Sequence, residues 1–399
     1  MTGNTLGWVI VAFVLYLLMM IAIGAFYAKG NNNSEDYFLG GRKLNGFVAA
    51  LSAQASDMSG WLLMGLPGAI YLTGVGGDGW IAIGLFIGTT LNWLFIATKL
   101  RRYTIRANNS VTLPTYFENR FHDEKKVLMT VSSITIVVFF LVYCASALSA
   151  GGQLFESVFG IDYHVALTIG ALVVLVYTFL GGFTAVCVTD FIQGMLMLVG
   201  ILAVPLFAYH FLTTGGTTLS AGLEASGADS ANFLNLMKNG DGSNNIVSVI
   251  SGLGWGLGYF GMPHILVRFM AVRDEKEMTK SKATAISWVA LSLGFAVFIG
   301  ILGRAYLPEL VNGNNEKVFI EMIKKVFTVE MRAPFIAGLF LCGILAAIMS
   351  TADSQLLVSA SSVAEDIFKG LLKKDADDKT VMNVSRVTVL VVAVLAYII

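Results

Sequence analysis

The residues best placed to do chemistry lie inside one apolar stretch, residues 44–72. This stretch is long enough to cross a bilayer, yet its middle holds Gln54, Ser56, Asp57 and Ser59. An aspartate at the centre of a membrane helix costs about 2.5 to 3.5 kcal/mol, so Asp57 needs a partner, water or an ion. Small and polar neighbours weaken the helix, and any backbone group freed at this depth must bind something. We therefore predict a broken helix that lines a polar site.

A second apolar stretch, residues 246–271, contains alternate glycines and a proline, which predict another helix break. Trp255 and Tyr259 are spaced i, i+4 and share a helix face, with Pro263 one further turn along. The glycines would let the backbone approach a ligand while the aromatic rings cover its apolar side. The alternative is helix packing through glycine with interfacial aromatics. Ligand binding is favoured because the break lies near the centre of the bilayer.

A third stretch offers hydroxyl groups on one helix face. Ala347, Ser350 and Thr351 are spaced i, i+3, i+4, so a carbonyl and two hydroxyls point the same way. Carbonyls from an unwound segment at residues 55–58 would bring the set to about five oxygens, enough for a sodium ion. The alternative is that both hydroxyls bond to the preceding turn of their own helix. The broken partner helix favours the sodium site.

Two further acidic residues lie in apolar surroundings. Asp353 and Asp190, together with Ser354, form a second candidate cation site. Asp190 is equally compatible with an interfacial helix cap, because it stands at the start of an apolar segment. Both interpretations stay open at this point.

Composition defines the class of protein that must position these residues. Of 399 residues, 56% are hydrophobic and 13% are charged, and the mean hydropathy is +0.74, which indicates a polytopic membrane protein. Zero net charge gives no reason to expect nucleic-acid binding. The isolated histidines and the absence of a nucleophile or metal motif argue against an enzyme.

The apolar segments give the expected topology. Lysine and arginine cluster in the loops after the first, third, seventh and ninth segments, beginning with Lys29, so these loops should be cytoplasmic and the amino terminus outside. The ten segments are residues 6–27, 44–72, 80–98, 127–159, 165–180, 191–212, 246–271, 283–302, 334–368 and 381–399.

The two predicted breaks divide the chain into repeats. After one leading segment, each break begins a successive group of helices, and the second group starts on the opposite side of the membrane. Broken helices at corresponding positions are typical of inverted-repeat transporters. We expect a leading helix and cytoplasmic loop at 1–43, a first repeat of five helices at 44–212, an external loop at 213–245 and an incomplete second repeat at 246–399. The chain ends inside an apolar run, so further helices are expected beyond Ile399.

Several motifs resemble the sodium/solute symporter family. The ASDMSGW run at 55–61 and the GWGLGYFG run at 254–261 are specific to its proline branch, whereas the Gly-Gly-Arg motif that ends at Arg42 marks the wider family. The motifs are ASDMSGWLLMGLPG at 55–68, DYFLGGR at 36–42, GGFTAV at 181–186 with Asp190, GWGLGYFG at 254–261, Pro263-His264 with Arg268-Phe269-Met270, and Ala347 with Ser350-Thr351.

The resemblance implies an all-α fold with a leucine-transporter type core of two inverted five-helix repeats behind one extra helix. This chain departs from the family pattern at Met262, where we expect glutamine. The selectivity for the transported solute is therefore expected to shift. Asp57 would shape the cation site by its charge without touching the ion. The implied sodium ligands are Ala55, Met58, Ala347, Ser350 and Thr351, and the implied substrate site is Ser59, Gly60, Trp61, Tyr143, Trp255, Tyr259 and Pro263.

The implied function is import of L-proline by symport with sodium across a bacterial cytoplasmic membrane. Sodium is the coupling ion, the lipid bilayer is the surroundings, and no cofactor, nucleic acid or obligatory protein partner is expected. With only four helices of the second repeat, the chain alone is not expected to transport. The alternatives are a sodium symporter for another solute, such as another amino acid, pantothenate or a sugar, and a symporter-like membrane domain of a sensor.

Overall fold

The computed structural model of the protein describes residues 3–27 and 33–399, so Lys29 in the first predicted cytoplasmic loop lies outside the described residues. The described part of the chain is predominantly helical. Seven of its helices are long and apolar enough to span a membrane, namely Gly3–Tyr27, Val75–Arg106, Val127–Phe159, Gly182–Thr214, Glu275–Tyr306, Pro334–Leu372 and Asp378–Ile398.

All ten predicted apolar segments are helical, with boundaries that differ by a few residues from those expected. The largest difference concerns the fifth and sixth segments, which form one continuous stretch, Tyr163–Thr214, interrupted only at Gly182. The backbone of Gly182 has φ 65° and ψ −172°, a conformation that glycine adopts without a Cβ clash. A single residue therefore replaces the loop that we expected between these segments.

The first broken helix consists of Gly46–Met58 and Gly65–Thr73. Its first half ends at Ser59, whose φ of 51° and ψ of −173° are strained for a residue with a side chain. The Ser59 hydroxyl accepts a 3.1 Å hydrogen bond from the Trp61 amide, which stabilises the turn. The expectation that residues 55–58 are unwound was wrong, because they form the last helical turn. Their carbonyls are freed instead by the helix end, where the last four carbonyls lack intrahelical partners.

The second broken helix consists of Ile246–Gly254, a 3₁₀ turn at Trp255–Gly261 and Pro263–Ala271. Its two halves, Ile246–Gly261 and Pro263–Ala271, are bent by 47°. Pro263 is the first residue of the second half, where the absence of an amide hydrogen carries no cost. The proline and the glycines thus mark the break, as predicted.

The glycines of the second break serve helix packing on one side. A Cβ at Gly256 would lie 2.2 Å from the carbonyl oxygen of Gly84, and one at Gly252 would lie 2.7 Å from Trp80. In contrast, a Cβ at Gly254 would meet no atom within 4 Å among the described residues. The glycines therefore pack closely on Val75–Arg106 on one side of the turn, and ligand binding on the other side stays a prediction.

Among the seven long apolar helices, Pro334–Leu372 is the most enclosed, because 83% of an apolar segment of 18 residues within it is buried by protein. It packs against Gly3–Tyr27, Val127–Phe159 and Tyr163–Thr214, and it also contacts the first broken helix. This position presents Ser350 and Thr351 to the end of Gly46–Met58.

The beginning of the first broken helix is tied to the end of the second. The Leu44 amide donates to the Ala271 carbonyl at 3.1 Å, and the Arg273 amide donates to the Leu44 carbonyl at 3.0 Å. The largely buried Arg42 side chain reinforces this junction by donating to the carbonyls of Met270 at 2.8 Å and Ser110 at 2.9 Å. The two broken helices are therefore joined on the side of the membrane where Arg42 lies.

Candidate functional site

The predicted sodium residues meet where Pro334–Leu372 crosses the end of Gly46–Met58. The Ser350 hydroxyl donates to the Ala55 carbonyl at 2.8 Å and lies 3.2 Å from the Ala347 carbonyl. The Thr351 hydroxyl donates to the Ala347 carbonyl at 3.1 Å. All four residues are buried. Thr351 thus bonds within its own helix, as the alternative interpretation expected, whereas Ser350 crosses to the broken helix.

Met58 is the fifth predicted member of this cluster. It is buried and is the last helical residue before the break, so its carbonyl is one of the four that the helix end frees. Rotation of the two hydroxyl protons would turn all five oxygens into acceptors. A neutral set of carbonyl and hydroxyl oxygens suits a hard monovalent cation, whereas the thiolate and imidazole ligands of transition metals are not part of it.

A cleft with about 610 Å³ of empty volume opens between the two helix breaks. Five of the seven predicted substrate residues line this cleft, together with Met262, which departs from the family pattern. The complete lining consists of Asp57, Met58, Ser59, Trp61, Leu85, Tyr143, Trp255, Gly258, Tyr259 and Met262.

Aromatic side chains from both breaks form the walls of the cleft. The rings of Trp61 and Trp255 are stacked, with centroids 5.8 Å apart and planes within 19° of parallel. Tyr259 is held in place because its carbonyl accepts a 2.8 Å hydrogen bond from the Asn92 side chain. The Tyr143 hydroxyl interacts with the Ser59 side chain. The stacked rings therefore connect the two broken helices at the cleft.

Gly60 and Pro263 do not line the cleft. Gly60 faces the scaffold, where an added Cβ would lie 3.0 Å from the Ile348 side chain. Pro263 lines a separate cleft beside Phe183 and Arg268, because the bend after Met262 turns Pro263 away from the Trp255–Gly261 turn. Both residues shape the breaks, and their contact with a substrate stays a prediction.

Asp57 has a position that the sequence did not predict. Its side chain lines the cleft although the residue is only 9% exposed, and its carboxylate interacts with the Tyr259 hydroxyl. The second carboxylate oxygen, Oδ2, has no hydrogen-bond partner among the residues that the structure describes. Asp57 therefore faces the cleft rather than the hydroxyl pair.

Leu85 and Gly258 are lining residues that sequence reasoning missed. Gly258 belongs to the alternate glycines of the second break, so its place in the run was a usable signal. Leu85 lies on Val75–Arg106, a helix that carries no polar interruption, and no local pattern indicated that it meets the site.

The second candidate cation site is assembled around an arginine. The Arg268 guanidinium pairs with the Asp190 carboxylate at 3.0 Å and donates to the Ser354 hydroxyl at 2.6 Å. The Ser52 hydroxyl donates to Asp190 at 2.6 Å, and the Ser354 hydroxyl donates to Asp353 at 3.1 Å. The structure thus brings Asp190, Asp353 and Ser354 together, and the Arg268 guanidinium already supplies a positive charge to this cluster.

The interpretation of Asp190 as an interfacial cap was wrong, because Asp190 is fully buried in the interior of Tyr163–Thr214. A buried carboxylate is tolerable only when it is paired and hydrogen bonded. Arg268 and Ser52 provide both conditions from the two broken helices. Arg268 was recognisable from the sequence only as part of a motif, because its partners are distant along the chain.

Known proteins resemble this chain over most of its length. The model of the sodium:solute symporter family matches residues 37–399. The sodium/proline symporter of Salmonella typhimurium is 45% identical and covers 97% of this chain, which spans 76% of that relative. The high-affinity proline transporter PutP of Bacillus subtilis is 44% identical over 94% of this chain and 77% of its own length.

Solved structures share the fold. An outward-open, substrate-bound sodium-coupled sialic acid symporter superimposes with a TM-score of 0.82 at 21% identity, covering 98% of this chain and 81% of its own. MhsT in complex with L-phenylalanine gives a TM-score of 0.56 at 16% identity, covering 88% of this chain and 78% of its own. At these identities the comparison concerns the arrangement of helices alone.

Proposed function

The chain belongs to the sodium:solute symporter family, and from this premise we propose that it imports L-proline together with sodium. It is a sodium-coupled secondary transporter with a leucine-transporter type fold, and it is not an enzyme. Its multiple apolar helices make it a multi-span membrane protein. Proline is the solute named for its relatives at 42 to 45% identity.

One observation carries the proposal: the Ser350 hydroxyl reaches the Ala55 carbonyl directly beside a cleft that a small solute would fill. Met58 belongs to both regions, since its carbonyl ends the helix and its side chain lines the cleft. We propose that sodium is bound by oxygens of Ala55, Met58, Ala347, Ser350 and Thr351. Sodium would then fix the backbone that leads to Ser59, so ion and solute stabilise each other's binding.

The cleft suits a compact solute with an apolar ring. The stacked Trp61 and Trp255 would cover one face of a pyrrolidine ring, which is an arrangement that aromatic side chains favour. The hydroxyls of Ser59 and Tyr143 would donate to the solute carboxylate. The Trp61 amide is not free to bind this carboxylate, since it already donates to the Ser59 hydroxyl.

We further propose the arrangement in the membrane. The amino terminus would lie outside a bacterial cytoplasmic membrane, with residues 1–43 leading, 44–212 and 246–399 as inverted repeats, and 213–245 as an external loop. Rocking of one bundle would expose the site to each side in turn. Inward movement of one sodium ion gains about 2.3 kcal/mol per 100 mV of membrane potential, which drives accumulation of the solute.

The test is uptake of labelled L-proline by proteoliposomes that contain the full protein, with and without an inward sodium gradient. We expect accumulation only with the gradient, and its loss in Ser350→Ala and Thr351→Ala. Ser292→Ala is a matched control, because among the described residues this buried hydroxyl bonds only to Val289 in its own turn. Equal uptake without sodium would contradict the proposed coupling.

Competition identifies the solute. Unlabelled proline should displace the label, whereas other amino acids, pantothenate and sugars should not. If labelled proline is not accumulated but another labelled solute is, with the same dependence on sodium, the coupling remains and the proposed substrate is wrong.

A further inference from the structure

The central cleft has an uneven distribution of charge. Asp57 is the carboxylate among its lining residues, and the described lining contains no lysine, arginine or histidine. The remaining polar groups at the cleft are the hydroxyls of Ser59, Tyr143 and Tyr259, the indole N–H groups of Trp61 and Trp255, and the backbone. The empty cleft therefore presents one acidic group in a largely apolar and aromatic surface.

The Asp57 carboxylate is incompletely satisfied. The residue is only 9% exposed, yet its Oδ2 atom has no hydrogen-bond partner among the described residues. A buried charge without a full set of partners is costly, and a cation or a donor must normally compensate it. The arginine that compensates Asp190 is engaged by Ser52 and Ser354 and does not line the cleft.

The three proposed sodium ligands on Pro334–Leu372 lie outside the cleft that Asp57 lines. Ala347, Ser350 and Thr351 are absent from the cleft lining, whereas Asp57 shares it with Tyr259 and Trp255. Asp57 thus lines the cleft, whereas the proposed sodium ligands on Pro334–Leu372 do not.

We propose that Asp57 binds the positively charged secondary amine of the substrate, an inference that rests on the proposed function. A zwitterionic amino acid would place its ammonium against Oδ2 and its carboxylate toward the hydroxyls of Ser59 and Tyr143. Tyr259 orients the Asp57 carboxylate from the opposite break. Asp57 is then a selectivity residue that admits amino acids and rejects carboxylic acids of the same shape.

The experiment compares ligands that differ only in the amine. Binding of labelled L-proline to the purified full protein is measured at saturating sodium, with cyclopentanecarboxylate as the competitor that lacks the ammonium group. The wild type should prefer proline by about 100-fold or more, the value expected when one partner of a buried charge pair is removed. In Asp57→Asn this preference should fall to about 10-fold or less, because the amide carries no charge.

Ser59→Ala is the matched control, since it alters the same cleft without removing a charge. Proline and cyclopentanecarboxylate both carry the carboxylate, so Ser59→Ala should weaken the binding of both and keep the ratio of their affinities. If Asp57→Asn does not fold, the wild-type comparison still decides, because equal binding of proline and cyclopentanecarboxylate overturns the inference. An unchanged ratio in a folded Asp57→Asn, with altered sodium dependence alone, also overturns it.

The outcome separates this inference from the proposed function. If the wild type binds proline only with sodium but does not distinguish the two ligands, the function stands and the role of Asp57 fails. If the wild type does not bind proline, the function fails, and the same comparison is made with the amino acid that does bind and its analogue without an amine.

Discussion

Ser59 illustrates how a single residue combines strain and binding. Its backbone conformation, with φ 51° and ψ −173°, is one that residues other than glycine rarely adopt. The hydroxyl compensates by accepting from the Trp61 amide, and the same side chain lines the cleft. The turn is therefore held by a group that also lines the cleft where we propose that the substrate binds.

Two substitutions separate the backbone strain from the hydroxyl. Ser59→Gly and Ser59→Ala both remove the hydroxyl, but only glycine accepts this φ without a Cβ clash. We expect Ser59→Ala to be less stable than Ser59→Gly by about 1 kcal/mol or more. Melting temperatures of the two variants in the same detergent test this order, and equal values would mean that the turn carries no backbone strain.

The helix elements explain which features were predictable. Polar residues and glycines in apolar stretches correctly indicated both breaks, because a local pattern determines where a helix is weak. The Asp190 to Arg268 pair was missed because its partners are separated by 78 residues and meet only when the helices pack. Leu85 was missed for the same reason, and the helical state of residues 55–58 shows that a predicted break is accurate only to a few residues.

The contact between the second break and Val75–Arg106 depends on glycine at one position. Gly256→Ala would place its Cβ 2.2 Å from the Gly84 carbonyl oxygen, whereas Gly254→Ala meets nothing within 4 Å among the described residues. We expect Gly256→Ala to cost about 1 to 3 kcal/mol through overpacking and to reduce proline uptake. Gly254→Ala should retain both stability and uptake, so equal behaviour of the two variants contradicts close packing here.

The buried ion pair joins several helices. Arg268→Met leaves Asp190 without its positive partner, which should destabilise the protein by about 3 to 5 kcal/mol. Adding Asp190→Asn removes the uncompensated charge, so the double variant should recover part of that loss. Thermal unfolding of the single and double variants measures the difference. Simple addition of the two single effects would show that the pair does not act as a unit.

At the scale of the whole molecule, the junction around Arg42 joins the two broken helices on one side of the membrane. Arg42 donates to the carbonyls of Met270 and Ser110, and Leu44 pairs with Ala271 and Arg273. These bonds connect the beginning of one broken helix to the end of the other. Opening toward this side requires that they separate, so the junction contributes to the balance between the two orientations of the transporter.

Weakening the junction should therefore expose the cleft that Ser361 and Arg268 line. We expect Arg42→Ala to increase the rate at which a maleimide labels Ser361→Cys, since Ser361 lines the cleft beside Arg268. Arg102→Ala is the control, because its ion pair with Glu275 is exposed and contributes little. Equal labelling rates in both variants would show that Arg42 does not hold this side closed.

The enclosure of Pro334–Leu372 also has a consequence for biosynthesis. Three of the helices that surround it, Gly3–Tyr27, Val127–Phe159 and Tyr163–Thr214, precede it in the chain. They leave the ribosome first, so the walls against which Pro334–Leu372 packs are already in the bilayer when it is made. Its polar residues, including Ser350 and Asp353, then pass from the insertion machinery to protein neighbours rather than to lipid, which avoids the cost of exposing them to hydrocarbon.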